Sequence, residues 1–468
     1  MNKIIYFLFL LLLPCTKVTA QTISGNLKLL SNQPIKLEGF NGFKTYPIAA
    51  ATTDEQGNFE LKFSNADYGV AYLKTGDEKP FFLILSNENT VLNGELLSYR
   101  ESLKFTAGSE NRLFELYAIE HPKREQALSA WIFLQKIYEG DSLFAKHKAT
   151  KSDIEKEKQR IKAEDAEFLN GLPPNSYVKY YLPLRKLVSS VSSVAQYRTD
   201  EIPETIQAFR KIDYADNRLY KSGLLKDALE SHFWLLENSG KSIDSVFIEM
   251  KTSVDAVIAS AIKDEKKLNE ISDYLFDLLE RQSLFQASEY LAIKLLNDVS
   301  CTINSDLAKQ LETYRAMKKG NTAPDIQFRS NVKAAGFEGK NAPEKLSDLK
   351  SKYTVVVFGA SWCPKCKEEL PEIARQYSKW KTNGVEVVLV SLDEDKDEYN
   401  AFVKDFPFIS TCDLKKWQGE IVKDYYVFGT PTMFLLNEKR KILLRPNSVK
   451  QMDAWVDWYL IQRNPLAD

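Results

Sequence analysis

Apolar and polar positions along the chain change their period three times. From Thr22 to about Phe105 short runs alternate or are rich in β-formers, as in Ile35-Lys36-Leu37, Phe59-Glu60-Leu61-Lys62-Phe63, Val70-Ala71-Tyr72-Leu73, Phe81-Phe82-Leu83-Ile84-Leu85 and Thr90-Val91-Leu92. Turn-forming stretches such as Asn41-Gly42, Asp54-Glu55-Gln56-Gly57-Asn58 and Asn93-Gly94 separate them, which predicts a small antiparallel β-domain over residues 21–107. The acidic and amide groups of Thr53 to Phe59 read as a hairpin turn, because the spaced ligand series of a calcium loop is missing.

From about Gly108 to Gly320 the period lengthens to that of a helix, as at Leu113, Leu116 and Tyr117 and again at Leu128, Trp131, Ile132, Gln135 and Ile137. Leu172-Pro173-Pro174-Asn175, Ile202-Pro203 and Asn238-Ser239-Gly240 break this all-α region into separate helices. The charge-dense stretch Lys151 to Glu167 reads as a solvated face, and the pairs Tyr180-Tyr181 and Phe233-Trp234 read as helix-packing core. A polar hinge, Lys318 to Pro324, opens the last unit, residues 321–468. There the expected order is strand Ile326–Arg329, a turn over Gly336–Pro343, helix Leu346–Lys350, strand Thr354–Phe358 and helix Glu368–Trp380. It continues with strand Val385–Ser391, helix Glu398–Asp405, strand Phe408–Thr411, helix Gln418–Tyr425, strands Met433–Asn437 and Lys441–Arg445, and a last helix through Tyr459. Strands alternating with helices predict an α/β layer with its reactive group at the C-terminal end of a strand.

Composition narrows the setting. The 468 residues carry 63 Lys plus Arg against 64 Asp plus Glu, so nothing points to nucleic acid or an anionic membrane as partner. Asn2-Lys3, the apolar run Ile4 to Leu13 and the small-residue site Val18-Thr19-Ala20 predict a signal peptide over residues 1–20 and an exported protein. The run is too short to span a bilayer, and no comparable run follows, so no transmembrane span is expected in the mature chain. Leu12-Leu13-Pro14-Cys15 faintly resembles a lipoprotein signal, but Pro14 stands where a small residue is wanted; a soluble periplasmic or envelope protein is favoured over one anchored at Cys15. Processing leaves Cys301, Cys363, Cys366 and Cys412, too few for a disulfide scaffold.

Two of those cysteines carry the chemistry. Trp362-Cys363-Pro364-Lys365-Cys366 follows the apolar run Tyr353 to Phe358 and precedes a helix, so both sulfurs fall at a helix N-terminus, where unpaired N–H groups favour a thiolate. Pro364 suits the first turn because it has no N–H to satisfy and its φ is preset. The two-residue gap lets Cys366 attack a mixed disulfide held on Cys363. Zinc would need a second Cys or His pair, whereas His121, His147 and His232 are remote; covalent haem would need His where Lys367 stands. No metal and no cofactor beyond the dithiol is therefore expected. A static disulfide staple in a binding or assembly protein remains the reading from another class. A peroxiredoxin is the alternative within redox chemistry, disfavoured by Ala360, which stands where those enzymes place Thr.

With Ala323-Pro324-Asp325, Phe358-Gly359-Ala360-Ser361-Trp362-Cys363-Pro364-Lys365-Cys366 and Tyr425 through Thr432, residues of about 322 to 460 resemble the TlpA/ResA-type thiol-disulfide oxidoreductases of the bacterial envelope. The resemblance implies a thioredoxin fold, Cys363 as exposed nucleophile, Cys366 as resolving thiol, and Pro431 as a cis-proline facing them. Thr430 would offer backbone hydrogen bonds to an extended substrate, with Trp362, Pro364 and Lys365 completing the contact surface. It also implies protein disulfides or dithiols of the envelope as substrates, reduced or isomerised, as in cytochrome c biogenesis, and a membrane electron donor upstream. Two positions depart from relatives. Val357 stands where thioredoxin has a buried Asp, and Glu369, matching the glutamate of the ResA-like branch, is the candidate proton-handling group, set beside Cys366 by helical spacing. Lys439-Arg440-Lys441 replaces a glycine-containing turn. Cys412 and Cys301 read as buried, inert thiols.

Overall fold

The structure is a computed structural model that describes residues 21–462, apart from 77–78, 283, 299–302, 304–306, 309–310, 312–314, 316, 329–330, 336 and 338–341. The expected signal segment with Cys15, and Cys301, lie outside the described residues. So do Arg329 and most of the turn expected over Gly336–Pro343. The chain divides into two compact units, one through Gly240 and the other from Lys241 onward.

The first unit begins with eight strands: β1 (Gln21–Leu27), β2 (Pro34–Asn41), β3 (Lys44–Thr52), β4 (Asn58–Phe63), β5 (Gly69–Thr75), β6 (Phe81–Leu85), β7 (Thr90–Gly94) and β8 (Lys104–Ala107). They form two four-stranded sheets, β4-β1-β7-β8 and β3-β2-β5-β6. Strict alternation in β4 buries Phe59, Leu61 and Phe63 on one face, where they join Ile23, Leu37, Leu73 and Leu83 from both sheets in one core. The pairing is antiparallel except between β1 and β7, which run parallel because the chain crosses the other sheet before returning beside β1. Between β3 and β4, Asp54 accepts from the backbone N–H groups of Gln56 and Asn58, so this carboxylate serves the hairpin turn.

Six helices complete the first unit: α1 (Ser109–Gly140), α2 (Lys148–Gly171), α3 (Tyr177–Tyr197), α4 (Ile202–Arg210), α5 (Asn217–Tyr220) and α6 (Leu225–Glu237). Asn111 on α1 ties the helices to the β-layer by bonding both the N–H and the C=O of Ile84, the edge-strand groups that would otherwise be unpaired. Of the aromatic pairs expected in the core, Tyr181 and Phe233 are buried, while Tyr180 and Trp234 stay partly open. The charge-dense α2 buries only Ile154, Ile161 and Asp165.

The second unit starts with α7 (Ile243–Ala261), α8 (Glu265–Arg281) and α9 (Phe285–Asp298), the first two capped by Ser242 and Asp264. A six-stranded sheet follows, ordered β14-β13-β10-β11-β12-β9, from β9 (Lys333–Ala334), β10 (Tyr353–Gly359), β11 (Val385–Ser391), β12 (Ile409–Cys412), β13 (Thr432–Asn437) and β14 (Ile442–Leu444). Strands β10, β11 and β12 are parallel and the others join antiparallel. The central strand β10 is buried from Thr354 to Gly359 and mostly apolar because both its faces are covered. Its flanking helices are α10 (Pro364–Thr382), α11 (Lys396–Val403), α12 (Glu420–Asp424) and α13 (Val449–Trp455). The strand expected from Ile326 is reduced, over 326–328, to a single bridge between Gln327 and Lys345.

Candidate functional site

Strand β10 ends at Gly359, and the next five residues carry the chain into α10 with Cys363 as its N-cap residue and Pro364 in its first turn. Glycine at the strand end leaves room for α10: a Cβ there would come within 2.9 Å of Leu370 Cδ1, which would have to shift, and 3.5 Å of Cys366 Sγ. The backbone N–H of Cys366 points at Cys363 Sγ at 3.2 Å, so the sulfur occupies the place of an N-cap acceptor. On its other side the Cys363 thiol donates to the carbonyl of Thr430 at 3.2 Å.

Cys363 is only 5% exposed, and Cys366 is fully buried. The expectation of an exposed nucleophile is corrected here: the cap and the Thr430 carbonyl enclose the sulfur, leaving the neighbours Trp362, Pro364 and Lys365 as the exposed surface. Burial, and next the hydrogen bond with Cys363, push the Cys366 thiol well above the usual cysteine range. Both sulfurs and Cys412 are free thiols; Cys412 is buried at the end of β12, its thiol donating to the Asp393 carbonyl at 3.4 Å.

The Thr430–Pro431 peptide bond is cis, and the Thr430 carbonyl faces the dithiol across 67 residues of sequence. Glu369 sits one helical turn beyond Cys366, yet its carboxylate accepts from the backbone N–H of Val449 at 2.8 Å, at the start of α13, and pairs with Lys365 at 3.3 Å. The pairing with Glu369 first, and with Glu368, raises the Lys365 ammonium above its usual value. Val357 is a buried position of β10. In the Lys439-Arg440-Lys441 turn, Arg440 takes φ 59°, and Asn437 Oδ1 receives the N–H groups of Lys439 and Lys441.

Several residues around the dithiol escaped the sequence reading. Asp393, fully buried in the loop after β11, accepts from the N–H and hydroxyl of Ser361 and from the Ser391 hydroxyl. The Trp362 indole N–H donates to Leu392 C=O at 3.3 Å, while its ring meets Trp417 edge-on and Lys416 lies 5.4 Å from its centre. Leu414 (φ 58°), Lys416 (φ 50°) and Tyr426 (φ 53°) hold left-handed backbone near this site. Such strain gathers where a surrounding structure over-determines a functional surface. The available signal was Ser391-Leu392-Asp393 at the C-terminal end of the strand beside β10, where α/β sheets place their reactive groups.

A dithiol at a helix N-terminus, opposed by a cis-proline and carried on a central parallel strand, defines the class of thioredoxin-fold redox domains. The thioredoxin-like family model matches residues 351–442. Among curated relatives, the thiol-disulfide oxidoreductase ResA of Bacillus thuringiensis subsp. konkukian is 32% identical over 127 residues, 27% of this chain and 68% of that one. Its counterpart in Oceanobacillus iheyensis is 31% identical over 149 residues, 32% of this chain and 74% of that one. A solved thioredoxin-like protein from Bacteroides caccae is 16% identical, covers 57% of this chain and 94% of that chain, and has a TM-score of 0.36. Through its C-terminal domain the chain belongs to the ResA family of thiol-disulfide oxidoreductases. Among the described residues no helix is long and apolar enough to cross a membrane, and no group of three or more His, Cys, Asp or Glu is placed to hold a metal ion.

Proposed function

We propose that this protein is an exported reductase or isomerase of protein disulfides in the cell envelope, working through the Cys363/Cys366 dithiol without a further cofactor. The observation that carries the reading is the Cys366 N–H aimed at Cys363 Sγ at the N-terminus of α10. The Cys363 thiolate attacks one sulfur of a substrate disulfide; a new S–S bond forms, the substrate S–S bond breaks, and the departing thiolate takes up a proton. Cys366, losing its proton, then attacks Cys363 Sγ and releases the second substrate thiol. Two electrons have passed to the substrate, and the enzyme is left as the Cys363–Cys366 disulfide, which an upstream membrane dithiol donor reduces. Thr430 and Pro431 bind the extended substrate backbone, and Trp362, Pro364 and Lys365 border it. Ile4 to Leu13 and Val18-Thr19-Ala20 support export. We assign residues 21–107, 108–320 and 321–468 to the β, helical and redox domains.

Insulin reduction with dithiothreitol tests the activity, and Cys366→Ser tests the intermediate. The expected results are turnover by the native protein and an accumulated mixed disulfide on Cys363 in the variant. No turnover together with no trapped partner would overturn the reading.

A further inference from the structure

Three of the residues leading to the nucleophile, Gly359, Ser361 and Trp362, are tied to one loop, Ser391 to Asp393. Gly359 C=O receives the N–H of Leu392 at 2.9 Å. Ser361 gives Asp393 both its N–H (3.0 Å) and its hydroxyl (2.7 Å), and the Trp362 indole N–H reaches Leu392 C=O. Asp393 is fully buried, and the Ser391 hydroxyl, at 2.6 Å, satisfies its second oxygen. A carboxylate accepts only, and three donors around it make a specific and costly arrangement to keep inside a core. None of its carboxylate's hydrogen bonds reaches Cys363 or Cys366, so it acts on the dithiol through Ser361.

We infer that Asp393 is a positioning residue for disulfide exchange, fixing the Ser361-Trp362 segment so that Cys363 Sγ stays between the Cys366 N–H and the Thr430 carbonyl. In-line attack at sulfur needs this placement, and reaction rates fall steeply when a reacting group is misplaced by a fraction of its contact distance. Asn at this position keeps the shape but presents an NH2 group to one of the donors. The inference rests on Cys363 being the nucleophile.

The test compares native protein, Asp393→Asn and Ser361→Ala, all in the full chain. It measures the single-turnover rate with insulin disulfides, the urea midpoint, and Trp362 emission isolated by subtracting Trp362→Phe counterparts. The expected result is a rate lowered roughly tenfold or more in folded Asp393→Asn, a shifted Trp362 emission, and an intermediate rate for Ser361→Ala. A native rate and native emission in folded Asp393→Asn overturn the inference, even if the urea midpoint has dropped. Should Asp393→Asn fail to fold, Ser361→Ala decides: a slowed rate supports the positioning role and a native rate overturns it. An inert native protein would instead strike at Cys363 as the nucleophile.

Discussion

Glu369 shows how much a side chain's role depends on what its oxygens already bond. The carboxylate stands within one helical turn of Cys366, but one oxygen holds the Val449 N–H and the other faces Lys365. The Val449 contact joins α10 to α13, and the Lys365 contact lies within α10. Glu369→Gln is expected to lower stability by about 1 kcal/mol in urea unfolding, and the pH profile of insulin reduction tests the proton-handling role: a displaced acid limb supports it, and an unaltered profile counts against it. His232 makes a different residue-scale case. Its ring is fully buried and stacked on Phe209, and among the described residues neither nitrogen has a hydrogen-bond partner. Burial first, and then Arg210, pull its pKa down to about 3. Because the unfolded imidazole takes its proton near pH 6.5, its folded form contributes fully above that value and loses ground as pH falls toward 3. Urea midpoints should record a loss of about 2 kcal/mol between pH 7 and 5, and His232→Phe should flatten that slope. The motif cysteines and Pro431 were readable from the sequence because their spacing is local chemistry. Asp393 was not, since a buried Asp and a surface Asp look alike until a neighbouring strand sets the serine hydroxyls around one of them.

At the scale of elements, a buried ion pair helps join a helical layer to an α/β layer within the second unit. Arg445, just past β14, meets Glu280 of α8 at 2.8 Å, with side chains 8% and 2% exposed. Its guanidinium lies 3.8 Å from the ring centre of Phe285 and 5.0 Å from that of Phe434, and Ser288 donates to Glu280. Close by, Phe276 of α8 packs edge-on against Phe428, in the segment that leads to the cis-proline. Removing either partner strands a buried charge, so Glu280→Gln or Arg445→Met alone should each cost about 3–5 kcal/mol in chemical unfolding. Replacing both together, with Glu280→Leu and Arg445→Met, should recover most of the loss. Strands with a continuous apolar run were legible: β10 and β11 lie where their apolar positions put them. The short elements shifted, because a two-residue strand such as β9 or a five-residue helix such as α12 has too few positions to show a period. Helix α10 begins four residues earlier than its apolar stripe suggests, since Pro364 and the Cys363 cap start it before any buried residue is needed.

For the molecule as a whole, the composition changes predicted three kinds of structure, and all three are present: strands, then helices, then an alternating α/β layer. The compact units do not follow those changes, for α7 to α9 fall with the redox layer and not with the helices before them. A helix carries its own period wherever it packs, so its sequence announces the helix without naming the neighbour that buries it. The same limit applies to the β-layer, where alternation predicted strands but could not reveal that β1 and β7 run parallel. What the sequence determined by itself was local: the class of each long element, the helix-capping dithiol and the family it marks, all fixed by residues within a few positions of one another. Only the tertiary structure decided what depends on groups distant along the chain. It enclosed Cys363 under Thr430, turned Glu369 toward Val449 and set Asp393 beneath Ser361, because burial and hydrogen-bond partnership arise only when separate elements meet.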